Sequence, residues 1–266
     1  MIETFLLLLT GHLLADFVFQ SDALIARKNT LRGLTEHVVI VTGLTLLLLA
    51  PASPLAVAPL AMMAVSHFAM DYAKTRWLGD RLWSFSLDQA VHIGVLVALA
   101  LAWPDLTEQS LWGTAPSNVQ LQIYAVLTVV CGVVIGVPAG GVVIKKLVEP
   151  LAPTSPPPIV TLTTASAAAP AVGTQPTAPI IGMRSAGRYI GWLERALTIT
   201  FILIGHPEGV GFLLAAKSIL RFRDVQDQTD RHQAEYIIIG TFLSFGWALF
   251  AALATKAALA HWLAPL

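Results

Sequence analysis

The sequence has few charged residues and a single cysteine, and both shortages restrict what the chain can be. Only 12% of its 266 residues are charged, whereas 56% are hydrophobic; soluble domains carry about a quarter charged residues. The formal net charge is zero, which excludes the basic excess typical of nucleic-acid-binding proteins. Cys131 has no second cysteine to pair with, so redox chemistry gives no indication of compartment. The composition indicates an integral membrane protein, for which we expect membrane lipids as partners and no nucleic acid.

Long apolar runs predict an all-α polytopic membrane bundle. A membrane span needs roughly 20 mainly apolar residues, and about eight runs qualify, or seven if one of the two short runs does not cross. The first run lacks the basic start and small-residue cleavage site of a secretory leader, so we expect it to be retained. The candidate spans lie at about 3–20, 36–51, 55–74, 86–103, 121–144, 188–205, 208–222 and 233–258.

Lysine and arginine are missing from alternate loops, and this asymmetry predicts the orientation. The loops PASP, PDLTEQSLWGT and GHPEG contain neither residue, whereas the intervening loops are basic. Because basic loops stay in the cytoplasm, we expect an N-terminus outside and eight crossings. Basic residues that define the cytoplasmic loops include Arg27, Lys28, Arg32, Arg76, Arg81, Lys145, Lys146, Arg223 and Arg231.

A proline-rich segment divides the chain into two predicted units. Residues 149–184 hold eight of the sixteen prolines and almost no charge, a composition typical of an extended, flexible tether. We expect this cytoplasmic linker to join an N-terminal five-span unit, 1–148, to a C-terminal three-span unit, 185–266.

The first span carries polar side chains that an apolar helix would normally exclude. In GHLLADFVFQ, at residues 11–20, His12, Asp16 and Gln20 follow one another at four-residue spacing. This spacing places them on one face of a helix. Ionisable groups are costly in lipid and usually mark a pathway, a pair or a site, so we expect this face to point into the bundle.

The same spacing recurs in the next spans. His67 and Asp71 repeat it, Asp88 and His92 reverse it, and His37 stands at the predicted start of the second span. The four spans would thus bring imidazole and carboxylate groups to a similar depth. An offset of 55 residues also relates the two hairpins, which predicts a parallel internal repeat about an axis along the membrane normal. This offset takes His12 to His67, Asp16 to Asp71, and His37 to His92.

Imidazole and carboxylate groups are the ligands that zinc, manganese and iron accept. Seven candidates exceed the need of one tetrahedral ion and could hold two. Asp88 and Lys74 are the predicted catalytic groups, while Gln20, Gln89 and Tyr72 would support the ligands or face a substrate. Alternatively, each His–Asp pair is only an intrahelical hydrogen bond, and Asp88 favours a helix N-terminus. The predicted metal ligands are His12, Asp16, His37, His67, Asp71, Asp88 and His92.

The C-terminal unit has charges of its own near the predicted cytoplasmic side. Glu194 or Glu235 could pair with a lysine or arginine of a neighbouring span and fix helix packing. The alternative is a site for an anion or a lipid head group, formed by Arg195, Lys217 and Arg221.

The motifs GHLLADFVFQ, HFAMDYAK and DQAVH, together with GRYIGWLERAL, AAKSILRF and AEYIIIGT, resemble a bacterial inner-membrane family of unknown function. The resemblance covers about 1–105 and 184–245 and implies a multi-pass helical protein of the bacterial inner (cytoplasmic) membrane, without an activity. A weaker similarity links the HxxxD patterns to membrane-bound metal-dependent hydrolases, although their His-Arg and Thr-His-Ser stretches are missing here. That similarity favours a metal site.

Three functions compete on this evidence. The first is a metal-dependent hydrolase near the cytoplasmic face, acting on a lipid-linked or phosphorylated substrate. The second is a transporter for a divalent cation or protons, which the absence of ionisable residues on the outer side of the first four spans disfavours. The third is a non-catalytic scaffold or sensor whose polar centre fixes helix register.

Overall fold

The computed structural model describes residues 1–152, 183–226 and 231–263, and within them the protein is all-α. Each predicted apolar run overlaps a helix. Most of the predicted linker at 149–184 lies outside the described residues. The α-helices are α1 Ile2–Phe17, α2 Asp22–Arg27, α3 Leu31–Leu49, α4 Val57–Ala73, α5 Leu82–Ala102, α6 Ser117–Val134, α7 Gly140–Val148, α8 Met183–Leu203, α9 Glu208–Gln226 and α10 Arg231–Leu263.

Five of the described helical stretches are long and apolar enough to cross a membrane, which supports a membrane protein. Helix α1 is not among them because its 16 residues span only about 24 Å. The five stretches are Leu31–Leu49, Pro54–Leu78, Leu82–Ala102, Ser117–Leu151 and Glu235–Leu263.

Local capping moves several helix ends away from the predicted positions. Helix α3 begins five residues early because the Thr30 side chain accepts a hydrogen bond from the Gly33 amide. Helix α5 likewise begins at Leu82, where Ser84 accepts a hydrogen bond from the Arg81 amide. His37, Asp88 and His92 therefore lie inside their helices and not at the starts of them.

Four helices form the bundle that contains the polar residues. Helix α1 packs against α3 and α5, and α4 packs against the same two helices. Gly11 lets α1 approach α3 closely, because a Cβ atom at this position would collide with Thr45. The end of this bundle that carries Lys28 and Lys74 is called the basic end below.

The remaining helices pack beside this bundle. Helix α6 contacts α1 on one side and α10 on the other. A stripe of glycines, Gly132, Gly136 and Gly140, runs from α6 into the start of α7 and allows α8 and α10 to approach. A Cβ atom at these positions would collide with Thr255 or Trp247 of α10 or with Ile199 of α8. Small residues at four-residue spacing are a typical helix-packing surface in membranes.

A π-helical turn, Ile135–Ala139, joins α6 to α7 and contains Pro138. Such turns release backbone carbonyls from the regular helical ladder. The Ile135 carbonyl accepts a hydrogen bond from Trp247 Nε1 at 2.9 Å, and the Val137 carbonyl accepts two from Arg195. Side chains of α8 and α10 thus satisfy the irregular turn.

Candidate metal centre

All seven predicted ligands point into the interior of the four-helix bundle. Helix α1 contributes two of them, α3 one, α4 two and α5 two, which places a nearly dry polar cluster among apolar helices. The exposed fractions are 1% for His12, 0% for His37, 4% for His67, 3% for Asp71, 2% for Asp88 and 4% for His92, and 6% for the Asp16 side chain.

Four ligand atoms lie close together, and each aspartate oxygen is near both histidine nitrogens. They are His37 Nε2, His67 Nε2, Asp16 Oδ1 and Asp71 Oδ2. The two nitrogens are 3.0 Å apart; the aspartate oxygens lie 3.2 and 3.6 Å from His37 and 3.5 and 3.7 Å from His67. A tetrahedral ion with bonds of about 2.0–2.2 Å separates its ligand atoms by about 3.3–3.6 Å. His37, His67 and Asp71 could therefore hold a metal ion, and Asp16 Oδ1 lies beside the two histidines.

Hydrogen bonding leaves part of this cluster unsatisfied. Asp16 Oδ1 is buried and has no hydrogen-bond partner among the described residues. Buried carboxylate oxygens normally have partners, because an unmade hydrogen bond costs about 1–3 kcal/mol. A divalent ion bound to this oxygen would supply the missing interaction, so the orphaned oxygen fits a metal site.

A second group of ligand atoms adjoins the first. His92 Nε2 lies 3.9 Å from Asp71 Oδ1 and 4.0 Å from Asp88 Oδ1. These residues form another group whose ligand atoms all lie within 4.8 Å of one another. Asp71 belongs to both groups, through a different oxygen in each.

His12 stands at the edge of both groups. It forms a further possible ligand set with Asp16 and His67, although its Nδ1 is 3.9 Å from Asp16 Oδ1. Its Nε2 lies 3.3 Å from Gln89 Oε1. A cavity of about 10 Å³ adjoins the rings of His12, His67 and His92, which is enough for about one water molecule.

Gln89 and Gln20 both contact the cluster. Gln89 donates from Nε2 to Asp16 Oδ2 and to Asp88 Oδ2, at 3.2 Å each. Gln20 does not share a helix face with Asp16 as predicted, because α1 ends at Phe17. In the amide orientation that satisfies both partners, Gln20 donates to the Asp16 carbonyl and accepts from Lys28, at 3.0 Å each.

Tyr72 is not brought together with the cluster. Its ring stacks on Phe68 and meets Trp77 edge-on, with Arg76 above it. A helix turns about 100° per residue, so Tyr72 faces away from the direction taken by its neighbour Asp71.

Two lysines neutralise part of the carboxylate charge. Lys74 donates to Asp88 Oδ2 at 2.6 Å, and Lys28 donates to Asp71 Oδ2 at 2.8 Å. From the sequence, Lys28 was predicted only as part of a basic loop. The short helix α2 brings it back to the bundle, and no spacing rule could have predicted this return.

A partly open pocket of about 370 Å³ leads from the cluster to the basic end. Lys28, Lys74 and Lys146 lie on its wall, and Phe17, Ile25, Phe85 and Val142 supply apolar surface. Lys146, which was predicted only as a topology signal, forms an ion pair with the exposed Asp80. The volume falls within the range of about 300–1,000 Å³ typical of small-molecule sites.

Apolar side chains fill the bundle on the opposite side of the cluster. They form one continuous core between the helices, in the part of the bundle away from the basic end. The buried members include Leu7, Leu8, Val41, Leu60, Met63, Leu96 and Leu99.

The charged residues of the C-terminal helices have other partners. Arg195 is buried and donates to the Val137 carbonyl and to Ser244 Oγ. Lys217 pairs with Glu194 at 2.6 Å, which confirms the predicted pairing between these helices. These contacts favour packing over anion binding. The side chain of Arg221 lies outside the described residues.

The fold and this cluster define a helical membrane protein with buried His and Asp groups that could hold a metal ion. A family model described as "Protein of unknown function (DUF3307)" matches residues 4–119. The match covers α1 to α5 and ends just after α6 begins, so it includes all seven candidate ligands but less than half of the chain. It supports the resemblance to an uncharacterised family and supplies no activity. No curated protein and no solved structure matches the chain.

Proposed function

We propose that this protein is a membrane-embedded, metal-dependent hydrolase whose pocket opens toward the cytoplasm. The observation that carries the proposal is the buried ligand set of His37, His67 and Asp71, with Asp16 Oδ1 at 3.2 and 3.5 Å from the two histidine nitrogens. Two neutral imidazoles and two carboxylates suit a borderline divalent ion such as zinc, manganese or iron. Such an ion would also neutralise the two buried negative charges.

The residues beside the ion have roles in hydrolysis. An ion held by His37, His67 and Asp71 would lower the pKa of a bound water molecule. Asp88 takes the proton of the attacking water, since its Oδ1 has no hydrogen-bond partner in the described part of the chain. The water oxygen forms a bond to the substrate as the ester bond breaks. Asp88 then returns the proton to the departing oxygen, whose charge Lys74 stabilises.

The pocket favours a phosphorylated, lipid-linked substrate. Its three lysines can contact a phosphate, whereas its aromatic and aliphatic wall can contact a hydrocarbon chain. Lysine binds phosphate as a point charge, and the basic end lies at the level where phospholipid head groups meet the cytoplasm in the proposed topology. An acylated substrate without a phosphate would use these lysines less well.

The proposal includes the membrane topology. We propose eight crossings in a bacterial inner membrane, with the N-terminus outside, the 149–184 linker in the cytoplasm, and units at 1–148 and 185–266 on either side of it. The first four spans would be a parallel repeat. The ring of contacts among α1, α3, α4 and α5 supports it, because the equivalent helices α1 and α4 have the same two neighbours.

Transport is the weaker alternative. A carrier must open its binding site to both sides of the membrane, whereas apolar side chains such as Leu7, Val41 and Leu96 fill the bundle beyond the cluster. A scaffold that uses the cluster only to fix helix register predicts no metal dependence, and the experiment below separates it from the hydrolase.

Metal analysis of the full chain, purified in detergent, tests the proposal. We expect the wild type to retain divalent metal, and His37→Ala with His67→Ala to lose it. His206→Ala is the matched control, because His206 is exposed and pairs with Glu208. Release of inorganic phosphate from a lipid phosphomonoester in mixed micelles should follow the metal content. Wild-type protein that holds no metal after loading with zinc or manganese would refute the proposal.

A further inference from the structure

We propose that the centre holds two divalent ions and that Asp71 bridges them. The inference rests on the proposed metal-dependent function and adds a second site to it. The first ion binds Asp16, His37, His67 and Asp71 Oδ2. The second binds Asp71 Oδ1, Asp88 Oδ1 and His92 Nε2, with its remaining positions open to water or substrate.

The second set of atoms has the dimensions of a trigonal site. His92 Nε2 is 3.9 Å from Asp71 Oδ1 and 4.0 Å from Asp88 Oδ1. The ligand atoms of these three residues all lie within 4.8 Å of one another. Three atoms so spaced surround a point about 2.0–2.5 Å from each of them, a range that includes normal zinc–oxygen bonds of about 2.0–2.2 Å.

Two of these three atoms lack any other role in the structure. Asp88 Oδ1 and His92 Nε2 are both buried and, among the residues described, neither makes a hydrogen bond. Their residues are only 2% and 4% exposed. Buried polar atoms without partners call for an explanation, and a bound ion is one of the few available. The two orphaned atoms lie 4.0 Å apart across the proposed second site.

Asp71 has the geometry of a bridging ligand. Its Oδ2 lies 3.6 and 3.7 Å from His37 and His67, whereas its Oδ1 faces His92 at 3.9 Å. One carboxylate therefore contributes an oxygen to each group. Paired catalytic ions in other enzymes stand about 3.5–4 Å apart and bind both oxygens of a displacement at phosphorus.

The charge of the pocket gives an independent reason for a second ion. The wall carries four carboxylates, Asp16, Asp71, Asp80 and Asp88, and three lysine ammonium groups. With neutral histidines the formal charge is therefore −1, which repels a phosphate. One divalent ion changes this charge to +1 and two change it to +3. Only the charge of +3 is larger in magnitude than the −2 charge of a phosphate monoester.

The second ion changes the expected role of Asp88. As a ligand, Asp88 is needed to hold metal; as a proton acceptor beside a single ion, it is needed only for turnover. The substitution Asp88→Asn separates the two roles. It lowers the metal content if Asp88 is a ligand and leaves it unchanged if Asp88 only accepts a proton. His92→Ala tests the other orphaned ligand.

The experiment loads the full chain with Mn²⁺ in detergent, removes weakly bound ions and counts manganese per chain. We expect two in the wild type and in His206→Ala, and one in Asp88→Asn and His92→Ala. Electron paramagnetic resonance of the wild type gives a second readout that needs no variant. Two bridged Mn²⁺ ions are exchange-coupled, whereas one isolated ion gives a six-line spectrum.

The outcomes distinguish this inference from the proposed function. One manganese per chain with an uncoupled spectrum would overturn the second site and leave the mononuclear hydrolase intact. No retained manganese or zinc would overturn the proposed function itself. Two manganese ions per chain in both Asp88→Asn and His92→Ala would show that the second ion lies elsewhere, which also contradicts the assignment.

Discussion

Replacing Asp16 by asparagine should stabilise the metal-free protein and reduce the stabilisation that zinc provides. In the metal-free state the nearby lysines pair with Asp71 and Asp88, whereas Asp16 accepts a hydrogen bond from the neutral amide of Gln89 at 3.2 Å. Its second oxygen is buried beside His37 and His67 and makes no hydrogen bond in the described structure. Removing this unsatisfied charge should raise the free energy of unfolding by about 1–3 kcal/mol.

The stabilisation that zinc provides should change in the opposite direction, because Asp16→Asn removes a ligand. Loss of a group that only supports a ligand already weakens metal binding about 10–100-fold, so loss of a ligand should cost at least that much. The stabilisation by saturating zinc should therefore shrink by at least about 1.4–2.8 kcal/mol. The wild type should gain about 4 kcal/mol when free zinc is about 1,000 times the dissociation constant.

Thermal unfolding in detergent at pH 8, with a chelator or with excess zinc, measures both quantities. Histidine is mainly neutral at this pH, so a charged imidazole does not mask the effect. Asp80→Asn is the matched control, since Asp80 is exposed and pairs with Lys146. Equal destabilisation of Asp16→Asn with and without zinc would refute the reasoning and support a scaffold.

Three further predictions concern the surroundings of the centre. Lys74→Met leaves Asp88 buried without its ammonium partner, so the metal-free protein should lose about 3–5 kcal/mol of stability. Thermal melts measure this loss, and a loss below about 1 kcal/mol would contradict the prediction. Gly11→Val should lower stability by more than about 1–3 kcal/mol because it overlaps Thr45, and Gly43→Ala, which meets no atom, is the control. Lys146→Ala should change stability by less than about 1 kcal/mol, because its partner is exposed, yet raise KM for a lipid phosphomonoester; an unchanged KM would remove this lysine from the substrate site.

Much of the bundle could be predicted from the sequence because its signals are local. Apolar runs gave the positions of the helices, and four-residue spacing identified helix faces that carry His and Asp side chains. The convergence of His12, His37, His67 and His92 from four helices needed one more step, the expectation that costly groups avoid lipid. The structure brings all of them together: their neighbouring rings lie 4.0–5.6 Å apart.

The features that sequence reasoning missed depend on chain reversals and on contacts between distant helices. Lys28 reaches Asp71 only because α2 turns the chain back toward the bundle. Gln20 leaves the helix because α1 ends three residues earlier, so its contact with Lys28 is a loop contact. The bonds from Arg195 to the Val137 carbonyl depend on a π-helical turn, and hydropathy does not signal such a turn.

The pairing of Lys28 with Asp71 and of Lys74 with Asp88 has a consequence for the order of assembly. Zinc fingers cannot fold before their ion arrives, because nothing else holds their ligands together. Here two ammonium groups already compensate the carboxylates, and apolar helices enclose the rest, so insertion and folding can precede metallation. The later arrival of an ion would then use the lysine-lined mouth that also admits the substrate. A molecule occupying this mouth would slow the escape of the metal behind it.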